Sequence, residues 1–418
     1  MMRFITSVSM VFMSIGLVSC GIDGGSDAER RISVPGDYAT ISAAVESARP
    51  GTTIEIGPGT YHEAIEVRTE RVTIRGVDRN AVILDGKFNL PNGISVVNNN
   101  VAIENLTVRN YLQNGIVFNG ISTASKGRGV DPAVDYGTGD AVLQGYRVSY
   151  VTAHNNGLYG IYAFAAKGGL IEHSLASGHP DSGFYVGQCQ PCDVTLDNNV
   201  AEHNAIGYFG TNASGGVVVS RSIFRNNRLG IAPNSQEMER LAPQAEATIV
   251  GNLVTNNDSP EAPAISYGYV GGGIAVGGGT KNTIIRNRVE GHSRAGIELL
   301  LFGPFLPQFN RVEGNVLLNN AIDLAYHTGN NDPAGNCFIG NSFTVSKPND
   351  IESALSCDGP GATFQSVNPP TIKAPPTVDY RTIAPPAKQQ SMPVEQQRIT
   401  AGAGTFTALD IASIGLPS

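Results

Sequence analysis

A glycine-led motif recurs through the middle of the chain at a spacing of about 23 residues. Each repeat holds short segments rich in Val and Ile and shows no helical periodicity. This combination predicts a coil whose rungs each contain about three short strands, stacked roughly 4.8 Å apart in parallel sheets. Two gaps are longer. The 43 residues from Gly230 to Gly273 predict a rung enlarged by loops, and the 45 residues from Gly115 to Gly160 predict an insertion at 119–141 or a degenerate extra repeat. The motif begins at Gly115, Gly160, Gly183, Gly207, Gly230, Gly273 and Gly296.

Asparagines recur at the ends of the strand segments. In a coil with stacked rungs, such side chains meet at a corner and hydrogen-bond from rung to rung. Glycine at the start of a strand lets the chain turn a corner with positive φ. The sequence therefore predicts corner ladders that include Asn199, Asn252, Asn287, Asn315 and Asn341.

The segment "PGDYATISAAVESARPG" predicts a short helix with one apolar face, capped by Asp37 or Thr40 and stopped at Pro50-Gly51. Such a helix would cover the open end of the coil, which repeat proteins need to protect. Apolar alternation begins directly after it, in "TIEIGPGTY" and "AIEV".

The cap, the alternating segments and the Asn-rich rungs together resemble the pectin-lyase-like superfamily. The resemblance covers about residues 32–345 and implies an all-β fold, a right-handed parallel β-helix with an N-terminal capping helix. It does not imply one function, because the superfamily includes pectate lyases, polygalacturonases, alginate epimerases, tailspikes, adhesins and a periplasmic copper-delivery accessory family. The catalytic motifs of its enzymes are not matched here, so no catalytic residue is carried over.

The N-terminus predicts export. Arg3 precedes a short apolar stretch that ends in Leu-Val-Ser-Cys, which resembles a bacterial lipobox with Cys20 as the lipidated residue. We therefore expect a lipoprotein signal peptide (1–19), a tether (20–31), the coil (32–345) and a Pro-rich tail (346–418) that packs outside the coil or hangs free. The alternative is an ordinary signal peptide with an incidental cysteine.

Four further cysteines remain, and an even number in an exported chain favours disulfides. Three pairings are possible, and proximity in sequence favours Cys189–Cys192 and Cys337–Cys357. A redox Cys-x-x-Cys normally opens a helix, and a zinc site needs further Cys or His ligands at suitable spacing. Neither feature is present here, so structural disulfides are favoured.

Strand alternation predicts that the residue directly after each glycine faces inward and that the next residue faces out. The inward residues are Ile161, Phe184, Tyr208, Ile231, Ile274 and Ile297, and the outward column also includes Val117, Ala232, Ala275 and Glu298. The outward residues on three consecutive rungs are Tyr162, Tyr185 and Phe209. They predict an exposed aromatic strip to which sugar rings could bind. The alternative is a structural stack covered by a loop or by the tail. Lys167, expected in a nearby turn, is a candidate to neutralise a substrate carboxylate.

Large insertions at 119–141, 233–246 and 301–309 all follow the outward-facing strand, so we expect them to emerge along one edge and to flank a groove beside the strip.

Two polar residues precede the motif at Gly183. His179 is assigned to a corner column with Tyr111, Asn156, His203, Asn226 and His292, either as a structural ladder residue, as a general base or as a metal ligand. None of the residues at the position of Asp181 in the other repeats is acidic, so the repeat itself does not require a carboxylate there. Asp181 is therefore either an acid/base group or a turn residue after Pro180.

The sequence is compatible with three functions. The first is a polysaccharide-processing enzyme, lyase- or epimerase-like, with His179 and Asp181 as acid/base candidates. The second is a non-catalytic glycan-binding or cell-envelope scaffold. The third is a metal-handling accessory protein that uses the histidine column. No cofactor is required, although Asp131, Asp135 and Asp140 could bind calcium. The net charge of −8 and the lack of a long Lys/Arg cluster argue against a nucleic-acid partner.

Overall fold

The computed structural model describes residues 30–120, 142–264, 269–329, 331–368, 370, 372–397 and 409–418. The strands in this part of the chain form three sheets, and every strand pairing within them is parallel. Ten consecutive rungs, from the strand Thr52–Ile56 to the strand Leu324–His327, each contribute one strand to sheet A, then one to sheet B, then one to sheet C. The predicted fold, an all-β right-handed parallel β-helix, is confirmed.

The strands are short because each spans one side of the coil. Sheet A contains Arg30–Val34, Thr52–Ile56, Thr73–Gly76, Val101–Glu104, Leu143–Ser149, Ala166–Glu172, Val194–Asp197, Val217–Ser220, Ala247–Val250, Thr283–Ile285, Arg311–Glu313 and Cys337–Ile339. Sheet B contains Gly59–Tyr61, Val82–Asp85, Thr107–Arg109, Thr152–His154, Leu175–Ser177, Val200–Glu202, Ile223–Arg225, Leu253–Thr255, Arg288–Glu290 and Val316–Leu318. Sheet C contains Ile65–Val67, Ile94–Val96, Ile116–Asn119, Ile161–Phe164, Ser182–Cys189, Ile206–Ala213, Leu229–Asn234, Gly272–Gly277, Ala295–Leu300, Leu324–His327 and Ser346–Lys347.

The core lies inside the coil, where the predicted inward residues of sheet C stack on one another. Their register runs from rung to rung without a slip, and each is at most 1% exposed. A one-residue slip would turn the whole set to the outside, so burial fixes the register. The stacked residues are Ile161, Phe184, Tyr208, Ile231, Ile274 and Ile297.

Three amide ladders run along the three corners of the coil. The predicted ladder lies between sheets A and B, where the backbone N–H of Asn252 donates to Asn287 Oδ1 at 3.0 Å and that of Asn287 donates to Asn315 Oδ1 at 2.9 Å. Such ladders satisfy corner amides that would otherwise be buried without partners. The ladder between sheets C and A includes Asn282, Asn310 and Asn336.

The ladder between sheets B and C corrects the predicted column. It passes through His179, Asn204, Asn227 and Asn257 rather than through His203 and Asn226. The turns before Gly207 and Gly230 are one residue shorter than the turn before Gly183, so counting back from glycine selects the wrong neighbour. His203 and Asn226 instead have positive φ values of 55° and 54°.

The capping helix spans Ile41–Ser47, and Thr40 is its N-cap, with Oγ1 accepting from the Ala43 N–H at 3.2 Å. Glu63, from the turn between sheets B and C, accepts from the N–H groups of Ile41 and Ser42 at 3.0 and 2.8 Å. This carboxylate satisfies free donors at the helix start and favours the positive end of the helix dipole. The other helices are Ile351–Ala354, Val394–Gln397 and the 3₁₀ turns Tyr380–Thr382 and Ile411–Ser413.

The C-terminal tail packs along the outside of the coil. It runs from Thr328 on the last rungs back to Arg79 near the first rungs, with Asn155 donating to the carbonyls of Tyr380 and Ile383 on the way. Prolines lack an N–H, so the coil supplies most of the donors. Tail carbonyls accept from the arginines Arg79, Arg228, Arg286 and Arg294.

Both predicted disulfides are present. Cys189–Cys192 closes the turn between a sheet C strand and the next sheet A strand. Cys337–Cys357 ties the last sheet A strand to the chain that follows the helix Ile351–Ala354. No helix among the described residues is long and apolar enough to cross a bilayer. The proposed signal peptide and Cys20 lie outside the described residues.

Candidate functional site

The outer face of sheet C carries a second apolar cluster, separate from the core inside the coil. Its central column follows the predicted outward register, from Val117 through Tyr162, Tyr185 and Phe209 to Ala232. Successive side chains of a strand point to opposite faces, so each residue of this outward column directly follows a residue of the core column in the sequence. The outward orientation of the three aromatic residues is confirmed.

Four rings form what we call the outer aromatic cluster: Tyr159, Tyr162, Tyr185 and Phe209. The centroids of Tyr159 and Tyr162 lie 4.7 Å apart, and those of Tyr162 and Tyr185 also lie 4.7 Å apart. Tyr159 contacts Tyr185 at 5.0 Å, and Phe209 meets Tyr185 edge to face at 5.9 Å. These separations lie in the range in which aromatic pairs attract one another.

The prediction of an exposed strip is wrong for two of its three members. Tyr185 is 4% exposed and Phe209 is 9% exposed, whereas Tyr162 is half-buried. The cover comes from Tyr159, which belongs to the preceding turn, and from Leu241 in the loop after Leu229–Asn234. The surface that solvent reaches is therefore formed by Tyr159 and Tyr162 above a buried base.

The covering loop is tied down by a carboxylate. Glu239 accepts hydrogen bonds from Gln188 Nε2 and, at 3.1 Å, from Asn212 Nδ2, both at the ends of sheet C strands. Burial raises the pKa of Glu239, although these two hydrogen bonds act in the opposite direction.

The insertions that the structure describes, 235–246 and 301–310, both follow sheet C strands, as predicted. Residues 121–141 of the first insertion lie outside the described residues.

Asp181 lies in the turn before Ser182–Cys189, beside the outer aromatic cluster. Its Oδ1 is shielded from water and has no hydrogen-bond partner among the described residues. Burial raises the pKa of Asp181 to about 7, although a hydrogen bond with Tyr159 acts in the opposite direction. A carboxyl group with this pKa exchanges protons near neutral pH, as a general acid or base must.

His179 has a different environment from Asp181, although only two residues separate them. It is fully buried in the ladder, where Nδ1 donates to Asn204 Oδ1 at 2.7 Å and Nε2 accepts from Asn156 Nδ2 at 3.2 Å. Burial lowers its pKa to about 3, so the ring is neutral at physiological pH. Both nitrogens are occupied, so His179 serves as a structural ladder residue in place of an asparagine. We do not propose it as a base or as a metal ligand.

Lys167 also differs from its predicted setting. It lies within the strand Ala166–Glu172 of sheet A and is half-buried, rather than in a turn beside the aromatic residues. Its role toward a substrate carboxylate stays a prediction.

The three candidate calcium ligands, Asp131, Asp135 and Asp140, lie outside the described residues.

An apolar pocket, here called the outer pocket, continues the cluster along the next rungs of sheet C. Its walls include Phe209, Leu229, Ala232, Ala275 and Leu300, together with Phe302 from the loop after Ala295–Leu300. The cavity volume is about 50 Å³. Asn234 also lines the pocket, and it is 3% exposed.

A buried polar group lies one rung beyond Ala275 in the same outward column. Glu298 accepts from Tyr269 Oη at 2.6 Å, from Arg294 Nε at 2.9 Å and from His327 Nδ1 at 2.8 Å. Burial alone would raise the pKa of Glu298, but the hydrogen bonds from His327 and Arg294 outweigh it and lower that pKa. These hydrogen bonds from three side chains hold the Glu298 carboxylate in place.

Sequence reasoning placed Glu298 in the outward column but did not assign it a role. A charged residue in an otherwise apolar outward column was the available signal. Its partners could not be found that way, because Tyr269 and His327 are each 29 positions away in sequence.

The fold and this outer face identify the protein as a β-helix protein in which the outer side of one sheet carries both an aromatic cluster and an apolar pocket. The sequence model of the family described as "Periplasmic copper-binding protein (NosD)" matches residues 134–354, more than half of the chain. The chain belongs to this family. Comparison with curated proteins finds no significant match.

Solved structures with a similar fold are distant in sequence. Pectate lyase Pel9A is 14% identical, with a TM-score of 0.46, and the match covers 76% of this chain and 78% of that chain. The alginate lyase from Paenibacillus sp. str. FPU-7 is 16% identical, with a TM-score of 0.40 over 76% and 100% of the two chains. The A-module of Azotobacter vinelandii mannuronan C-5 epimerase AlgE4 is 14% identical, with a TM-score of 0.39 over 74% and 92%. Likeness at this level carries no argument about activity.

The described residues do not fit a resident copper centre. Across the described ranges, no three side chains of His, Cys, Asp or Glu come together as a metal-binding group. The four cysteines there are in disulfides, and His292 repeats the ladder bonding of His179. His327 has an Nε2 without a described partner, but it is a single imidazole inside a buried ion pair. Copper sites draw on several imidazole or sulfur ligands.

Proposed function

We propose that this protein is an exported β-helix protein that binds polysaccharide on the outer face of sheet C. The observation that carries the proposal is the outer aromatic cluster. Tyr159, Tyr162 and Tyr185 are in mutual ring contact, and the first two keep faces or edges that solvent reaches.

The chemistry of this surface suits a sugar chain. Tyrosine offers an apolar ring for the C–H face of a pyranose and a hydroxyl for its oxygens. Buried Tyr185 and Phe209 hold the half-exposed rings in place, so little side-chain freedom is lost when a ligand binds. The column runs along the coil axis, across its strands, so successive sugar units would lie over successive rungs.

Export is supported by two disulfides and by the periplasmic setting that the family description names. We extend the proposal to a lipid anchor on Cys20. Mass spectrometry of the N-terminal peptide from membrane fractions should find an acylated Cys20. The variant Cys20→Ala should release the protein from the membrane. An unmodified N-terminus at another residue would rule the anchor out.

A panel of polyuronates and neutral polysaccharides tests the binding proposal. We expect at least one polymer to bind, and Tyr162→Ala to weaken that binding about tenfold, in line with the loss of one stacked ring. Phe309→Ala removes an aromatic side chain that is 61% exposed on a loop outside the cluster, and it serves as the matched control. If no polymer binds, or if both variants behave alike, the proposal fails.

Acid–base catalysis at the same face is a second candidate, and the carboxyl of Asp181 is the observation that favours it. With a pKa of about 7 and an unpartnered Oδ1, Asp181 suits removal of the C5 proton of a uronic acid. Tyr159, its hydrogen-bond neighbour, would then donate a proton to the leaving glycosidic oxygen in a lyase. An epimerase would need a further proton donor on the opposite face of C5, because a group hydrogen-bonded to the base lies on the same side as the base.

Turnover distinguishes the two candidates. A lyase would generate unsaturated ends that absorb in the ultraviolet, and an epimerase would exchange the C5 proton with solvent deuterium. Asp181→Asn should abolish either signal while the polymer still binds. If the wild-type protein binds a polymer but gives neither signal, the catalytic candidate is ruled out and the non-catalytic binding function stands.

Copper handling, which the family description names, is assigned to no residue described here. Metal analysis of the purified protein after dialysis tests it directly. Stoichiometric copper would show that the ligands come from residues outside the described ranges or from a rearranged face.

A further inference from the structure

The outer pocket lies directly beside the outer aromatic cluster and shares Phe209 with it. The column runs from Tyr162 through Tyr185 and Phe209 to Ala232, one rung at a time. Three rungs correspond to roughly 14 Å. A short oligosaccharide that stacks on Tyr159 and Tyr162 is therefore long enough to place a later substituent over the pocket.

The pocket accepts a small apolar group. Its walls are formed by aromatic and aliphatic side chains, and its cavity volume of about 50 Å³ holds only a few heavy atoms. A long acyl chain or a protein aromatic side chain would not fit without rearrangement. A methyl or acetyl group would.

One polar atom of a residue that lines the pocket lacks a partner. Asn234 Oδ1 has no hydrogen bond among the described residues, although Asn234 is 3% exposed. The orientation of the amide is fixed, because its Nδ2 donates to the Ala232 carbonyl at 3.2 Å, and a carbonyl cannot donate in return. Nδ2 also donates to Thr211 Oγ1 at 3.2 Å. The unpaired atom is thus an acceptor, and a buried acceptor favours a ligand with an N–H or O–H donor.

We propose that the outer pocket receives the N-acetyl group of an amino sugar, with its methyl group against the apolar walls and its amide N–H donating to Asn234 Oδ1. An N-acetyl group combines a small apolar end with one N–H donor, and its carbonyl oxygen can stay in water at the pocket mouth. The inference rests on the proposed polysaccharide function and assigns it a ligand class, polymers that contain N-acetylated amino sugars.

Two tetrasaccharides with the same linkage test this assignment. Calorimetric titration would compare the β-1,4 tetramer of N-acetylglucosamine with the β-1,4 tetramer of glucose, which has a hydroxyl in place of the N-acetyl group. We expect the N-acetylated tetramer to bind roughly tenfold more tightly, because one methyl group is buried and one hydrogen bond is formed. The de-N-acetylated tetramer should bind no more tightly than the glucose tetramer.

Two variants locate the preference. Ala275→Leu places a larger side chain in the pocket and should remove the preference while glucose-tetramer binding persists. Val218→Leu makes a similar enlargement at a half-buried position of sheet A, outside the outer face of sheet C, and should leave the preference unchanged. Thermal unfolding of both variants confirms that they fold.

The outcomes separate this inference from the proposed function. Equal binding of the tetramers, or a preference that survives Ala275→Leu, overturns the N-acetyl assignment and leaves polysaccharide binding intact. So does binding confined to polymers without N-acetyl groups. If no glycan of the panel binds at all, both proposals fail.

Discussion

His179 and Asn204 share a hydrogen bond 2.7 Å long inside the coil, from the imidazole Nδ1 to the amide Oδ1. The backbone N–H of His179 donates to the same oxygen at 3.0 Å. The histidine thereby continues an amide ladder from Asn156 to Asn204 across one rung. Only the neutral ring can do this, because Nε2 must accept while Nδ1 donates.

The ladder predicts acid lability. The pKa of His179 is about 3 in the folded protein and 6.5 when exposed, so the unfolded chain binds more protons between these values. Stability should fall as the pH drops through this window, by roughly 3 kcal/mol at pH 4.5. His179→Asn keeps a ladder amide and should reduce that loss, as measured by urea unfolding at pH 7.5 and 4.5.

His203→Asn, which removes a histidine outside the ladder, is the control for this experiment. A pH dependence that His179→Asn leaves unchanged would contradict the prediction. His292, whose pKa burial lowers to about 4, should contribute in the same direction.

Asp181 predicts the opposite pH dependence. Its pKa is raised from 3.8 to about 7, so the folded protein binds more protons between these values and stability falls as the pH rises through them. Asp181→Asn removes the ionisation and should stabilise the protein at pH 8 by about 2 kcal/mol, less than the full shift implies because water reaches part of the group. Thermal unfolding at pH 5 and pH 8 measures this.

Asp193→Asn, at an exposed turn position, provides the comparison for Asp181→Asn. If Asp181→Asn instead destabilises the protein at pH 8, the carboxylate is stabilised in its ionised form, and its candidacy as a general base at neutral pH is lost.

The Glu298 group predicts a large cost of truncation. Glu298→Ala leaves Arg294 and His327 buried without their shared acceptor and should destabilise the protein by about 3–5 kcal/mol. Glu298→Gln keeps an acceptor oxygen and should cost less. Denaturant unfolding at pH 7 compares them with Glu313→Ala, which breaks the exposed Arg311 pair at a cost below about 1 kcal/mol. If Glu298→Ala and Glu313→Ala lower the free energy of unfolding by similar amounts, Glu298 is more hydrated than its burial in this structure indicates.

The end of the tail should depend on Arg286. Its Nε donates to the Ile414 carbonyl at 2.7 Å and its Nη2 donates to the Ile411 carbonyl at 2.6 Å. Arg286→Ala removes both bonds, so residues 409–418 should show much faster hydrogen exchange while the rungs stay protected. Arg288→Ala, which breaks a surface pair with Glu290, is the control. Unchanged exchange at 409–418 would mean that packing of Ile414 alone holds the segment.

Much of the fold could be read from local patterns. The glycine register identified the inward column of Ile161 and Phe184, because alternation and a regular period leave one way to bury those side chains. The capping helix, the asparagine ladders and the two disulfides were also predicted, since each depends on residues that are close in sequence or separated by one regular rung.

The candidate site was harder to predict, because its character depends on what covers it. The outward orientation of Tyr185 and Phe209 followed from alternation, but their burial depends on Tyr159 and on the loop that contains Leu241 and Glu239. The column that contains His179 was misaligned at His203, because turns before equivalent glycines differ by one residue. The Glu298–His327 pair and the path of the tail could not be predicted at all.

The sequence by itself determined the coil, its period and the residues inside it, because period-two alternation and a 23-residue repeat are local properties of the chain. Only the tertiary structure decided which outward residues meet water, which carboxyl groups are protonated near neutrality and where the tail lies. Those properties depend on desolvation and on hydrogen bonds between residues far apart in sequence, and no local pattern encodes how such residues come together.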